Sequence, residues 1–157
     1  NENRFRRAVY VVWRRGAPYA SFVNFDAPDR GACVVDRART NTPLQALTLL
    51  NDQAFVEMGL AFAARILQEP TLINDEQRIQ FAFRVALARN AKQVEVDYLK
   101  ELLAKRENEL IKNPKTIDAL LSEAELVPFK NSKPEGIAKW FTIANILLNL
   151  DEAITKG

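Results

Sequence analysis

Asp26, Arg37 and Arg39 stand just ahead of Thr40-Asn41-Thr42-Pro43-Leu44-Gln45, and Asn51 and Asp52 follow shortly after. Arginine forks beside the free N–H groups of a helix start suit an anion or the charged face of a partner. The plainer chemistry is a pin, in which Asp26 pairs with an arginine and fixes the loop. Asn51 and Asp52 interrupt an apolar run, and a buried amide or carboxylate there needs partners. Arg6, Arg7 and Tyr10 suit that role by residue type alone. The candidate polar network or docking site is therefore Arg6, Arg7, Tyr10, Asp26, Arg37, Arg39, Asn51 and Asp52. Thr42 and Gln45 read as helix caps: Thr42 at the N-cap, Pro43 at the first helical position, and Gln45 closing a capping box.

Other chemistry is excluded or left unassigned. The chain has no histidine and one cysteine. That removes Ser-His-Asp and Cys-His catalysis, imidazole metal ligands, an internal disulfide and a zinc cluster built from this chain alone. Asp26, Asp29, Asp36, Asp52, Glu57 and Asp151 offer carboxylates, and glycoside hydrolysis needs two flanking a sugar. Nothing in the spacing selects a pair. Asp26-Ala-Pro-Asp29 lacks the EF-hand calcium-loop pattern. Cys33, between Ala32 and Val34, reads as a small buried apolar residue. Trp13, Trp140, Tyr19, Phe22 and Phe25 read as core anchors before a sugar-stacking face. No catalytic, cofactor-binding or metal-binding residue is assigned.

The 157 residues carry a formal charge of +2. The balance is uneven: residues 1–39 hold eight arginines against four acids, while every lysine lies at 92 or beyond. Arginine suits fixed polar contacts and lysine a solvated face. A nucleic-acid footprint is not expected from so small a net charge. No apolar run approaches the length of a membrane-spanning helix. The size favours one domain over 1–157, with an arginine-rich segment and loop over 1–39 and a helical bundle over 40–157. The start at Asn1, without methionine, suggests a fragment of something longer.

The elements predicted to position these residues make an all-α fold: an irregular bundle of about five helices with a long ordered N-terminal connection. A first helix is predicted over about 4–15, with a strand at Tyr10–Trp13 as the alternative. An irregular, packed connection spans 16–39. A long, mostly buried central helix is predicted over 43–68, counting Leu44, Leu47, Leu50 and Met58 in its apolar stripe. Further helices are predicted over 76–89, 92–112 (with Val94, Tyr98 and Leu102 on one side and Leu99, Leu103 and Leu110 beside it) and 134–148, with a short one over 115–123. Asn149-Leu150-Asp151-Glu152 opens a tail or last turn.

Arg6-Arg7 with Tyr10, Phe25-Asp26-Ala-Pro28-Asp29, Cys33, Arg37, Thr40-Asn-Thr-Pro-Leu-Gln-Ala-Leu47 and Leu50-Asn51-Asp52 together resemble the planctomycete PSD1 domain, the DUF1553 family. So do Arg78…Phe83-Arg-Val-Ala-Leu-Ala-Arg89 and Leu147-Leu-Asn149-Leu-Asp151-Glu152. Near residue 90 the chain departs from the family's Pro-Thr element, and only Glu95 fits there. The resemblance supplies a context and no activity. It implies a C-terminal domain of a larger planctomycete protein, exported or periplasmic. Its partners would be upstream domains of the same polypeptide, where haem is possible. This chain has no haem-attachment sequence of its own. The expected role is a non-catalytic structural or domain-interaction module. The alternatives are a contribution to an active site shared with upstream domains, redox or polysaccharide-related, and a carbohydrate-binding module.

Overall fold

A computed structural model describes residues 8–14, 16–36, 38–122 and 132–155. Among them the architecture is all-α, with no strand. It has eight α-helices rather than about five: α1 (Ala20–Asn24), α2 (Pro43–Asn51), α3 (Gln53–Gln68), α4 (Asp75–Leu87), α5 (Gln93–Lys112), α6 (Lys115–Ser122), α7 (Pro134–Asn149) and α8 (Asp151–Thr155).

The extra helices have local causes. The predicted 43–68 helix is cut at Asp52, whose backbone turns extended (φ −71°, ψ 130°). Its carboxylate accepts from Ala54 N at 2.9 Å, so Asp52 ends α2 and caps α3 in one residue. The connection over 16–39 contains α1, and the tail closes in α8. The predicted first helix is reduced, among the described residues, to one 3-10 turn at Ala8–Tyr10 followed by irregular backbone.

The other starts follow familiar chemistry. Asn74 caps α4 by accepting from Gln77 N at 2.9 Å, while Gln77 Oε1 accepts from Ile73 N at 2.8 Å. Asp75 and Glu76 in the first turn suit the helix dipole. At α5, Glu95 Oε2 accepts from Lys92 N at 2.6 Å. The lysine ammonium has no lone pair to return the bond, so this cap is half of a box.

The central element is α7, not the helix predicted over 43–68. It packs against α2, α3, α4, α5, α6 and α8. Its Ile137, Trp140, Ile143, Ala144 and Leu147 are buried against Leu60, Ala63 and Ile66 of α3, Ile79 and Phe83 of α4, and Val96, Leu99 and Leu103 of α5. The apolar side of α5 thus runs through Val96, Leu99 and Leu103, while Val94 and Tyr98 are exposed. Gly59 lets α3 approach α7 closely, since a Cβ there would lie 2.8 Å from the Phe141 ring.

Candidate functional site

The residues around the Thr40–Gln45 motif converge on one buried amide. Gln45 is 1% exposed. Its Nε2 donates to Asn24 O at 2.7 Å, to Thr40 Oγ1 at 3.0 Å and, more weakly, to Asp26 Oδ2 at 3.5 Å. Its Oε1 accepts from Thr42 N at 2.9 Å, and Thr42 Oγ1 accepts from Gln45 N at 3.2 Å. Gln45 thus caps α2 and ties it to the loop behind it. Asp26 sits in the left-handed region at φ 56° and accepts from both Thr40 N and Thr40 Oγ1, at 2.8 and 2.7 Å. Asn24 Nδ2 donates to Thr48 Oγ1 at 3.1 Å.

One tie joins this loop to the far end of the chain, and a second joins the connection between α4 and α5 to the same end. Asn41 Nδ2 donates to Asp151 Oδ1 at 2.7 Å. The neighbouring Glu152 meets Arg89, whose five N–H donors are all used. Nε and Nη2 hold Glu152 at 2.7 and 3.0 Å. Nη1 and Nη2 hold Glu95 at 2.9 and 2.8 Å, and Nη1 also reaches Asn90 O at 3.1 Å. The guanidinium lies 5.0 Å over the Phe83 ring. This is bidentate recognition on two sides, a geometry that lysine cannot reproduce.

The electrostatics follow from that geometry. Hydrogen bonds from Arg89, helped by the Lys92 N–H, pull the Glu95 carboxyl down to about 2 against the opposing effect of burial. Arg89 likewise lowers Glu152 and is itself held more firmly protonated. A depressed carboxylate stabilises the fold above its unfolded value of about 4.3, and that contribution disappears as pH falls towards 2. The unfolding free energy, followed by urea melts between those values, should therefore fall with acid more steeply in the wild type than in Glu95→Gln. Equal slopes would contradict the tie.

The structure describes five of the eight residues of the predicted network. Arg6, Arg7 and Arg37 lie outside the described residues. Tyr10 is 70% exposed and Arg39 is exposed. Asn51 is exposed and donates to Leu47 O at 2.8 Å, while Asp52 is spent as a cap. The buried polar side chains of α2 and α3 are Gln45 and Glu57 rather than Asn51 and Asp52. Cys33, expected to be buried, is exposed. Trp140 is in the core. Trp13 stacks on Phe22 at 5.5 Å with Arg30 5.2 Å from its ring.

Sequence reasoning did not nominate Arg89, Glu95 or Glu152 as a group. The available signal was an arginine, rather than lysine, just past a helix end with an acid at 95. Among the described residues no group of three or more acidic or cysteine side chains could hold a metal ion. An open polar cavity of about 780 Å³ beside α4 is lined by Asn74, Gln77, Gln80 and Arg84 among others, and by none of the predicted residues.

The chemistry of the polar ties is cohesive. Every donor on Arg89 and three of the four bonding positions of Gln45 are satisfied within the chain. Gln45→Ala leaves Asn24 O and the first turn of α2 without their partner, and should cost about 1–3 kcal/mol in urea unfolding. A loss below about 0.5 kcal/mol would show that the amide is not structural.

The described residues thus form an all-α scaffold held by polar ties between distant parts of the chain. A family model described as PSD1, a protein of unknown function (DUF1553), matches residues 1–103. The chain belongs to that family. No curated protein and no solved structure matches it.

Proposed function

We propose that this chain is a non-catalytic interaction domain that docks against other domains of its own polypeptide through apolar surface in its N-terminal third. The observation that carries this reading is the distribution of exposed large apolar side chains. Eleven of sixteen such side chains among the described residues fall between Val9 and Met58. On α2 they form a stripe: Leu44, Leu47 and Leu50 are 56, 56 and 47% exposed. The remaining exposed positions of α2 are Pro43 and Asn51, so its outer face bears no charge. Scattered exposed leucines are ordinary, but an uncharged leucine stripe on one helix favours a partner. Exposed Arg14, Arg30 and Arg39 accompany it in the same segment. On this reading the parent is a larger, exported planctomycete protein, and any haem belongs to its upstream domains. Family resemblance supports that context.

The test is Leu44→Glu with Leu47→Glu in the intact polypeptide. The pair should release the domain, seen as a larger radius of gyration in X-ray scattering and faster cleavage between domains. The isolated chain should lose less than about 1 kcal/mol, because both side chains already face water. An unchanged scattering profile would overturn the docking reading.

A further inference from the structure

A second cavity, of about 530 Å³, opens where α4 and α7 begin and α5 ends. It goes beyond the docking surface and shares no residue with it. Its inner wall is apolar, built on Leu110, Ile117 and Trp140, which are 5, 7 and 2% exposed. Its mouth carries three carboxylates and two cations. Both cations face carboxylates of the chain: Lys139 Nζ lies 2.8 Å from Glu107 and 3.8 Å from Asp75, and Arg78 Nη1 lies 3.4 Å from Asp75. Glu135 is exposed in the first turn of α7 and makes no hydrogen bond or ion pair with a described residue. Among the described lining residues the carboxylates therefore outnumber the cations by one, beside an apolar wall. A pocket of this size with few polar groups suits a small organic molecule.

We propose that this cavity binds a hydrophobic amine, with its ammonium at Glu135 and its hydrocarbon body against Trp140, Leu110 and Ile117. A neutral or anionic molecule of the same shape gains nothing from Glu135. Nine of the eleven lining residues lie beyond the stretch matched by the family, so the site is a property of this chain's C-terminal part.

The experiment titrates 2-phenylethylamine into isotope-labelled protein by NMR, with 2-phenylethanol and 3-phenylpropionate as uncharged and anionic controls. The amine should shift amides of residues 107–117 and 135–140 saturably, with millimolar or tighter affinity. The controls should bind at least about threefold more weakly. Glu135→Gln, a surface change that leaves the core intact, should weaken the amine about threefold and leave the alcohol unaffected, the scale of one exposed ion pair. Absence of saturable shifts at those amides would overturn the proposal. So would controls that bind as well as the amine, or an amine affinity unchanged by Glu135→Gln.

Discussion

Trp140→Ala lowers the unfolding free energy by about 3–5 kcal/mol in urea melts. The side chain is 2% exposed and belongs to the cluster that α7 shares with α3, α4 and α5. Removing the indole forfeits its transfer energy and leaves a void that several helices would have to collapse together to fill. Because α7 touches most of the other helices, the loss spreads through the bundle instead of staying local. Trp13 provides the contrast: half-buried and stacked on Phe22, it holds a loop, and its replacement should cost well under half as much. A loss below about 1 kcal/mol for Trp140→Ala would contradict the central position of α7.

Gly59→Leu should cost about 3 kcal/mol, at the upper end of ordinary overpacking. Even a Cβ at this position would come within 2.8 Å of Phe141 Cε2 and 3.3 Å of Cδ2. The clash is with an aromatic ring wedged between α3 and α7, so either the ring or the helix spacing must move. Glycine is otherwise a poor helix residue, by about 1 kcal/mol against alanine. Gly59→Ala should therefore show a smaller net loss, with strain partly offset by propensity. Adding Phe141→Ala to Gly59→Leu should recover part of the loss, since the two residues share one space. Strict additivity of the two changes would show that close helix approach is not the reason for glycine.

Much of the helical frame was legible from local chemistry. Asn74 before Asp75, Pro134 at the start of α7, and the Thr42–Gln45 box each announce a helix with bonds spanning only a few residues. The cut at Asp52 was not legible, because apolar residues continue on both sides and one aspartate serves both helices. Leu44, Leu47, Leu50 and Met58 look like core in periodicity yet are exposed. Hydrophobic pattern cannot distinguish a stripe facing a core from one facing a partner. The polar ties were harder still: Arg89 and Glu152 are 63 residues apart, and Asn41 and Asp151 are 110 apart. The bonds of the Thr40–Gln45 region run to Asn24, Asp26 and Asp151.

Gln45 and Leu49 are buried on one face of α2, and Leu44, Leu47 and Leu50 are exposed on the face proposed for docking. Backbone hydrogen exchange over residues 43–51, compared between this chain alone and the larger polypeptide proposed to contain it, tests that division most directly. The account predicts slower exchange across α2 in the intact polypeptide, with Leu47→Glu returning it to the isolated rate. Identical exchange in both forms would contradict it.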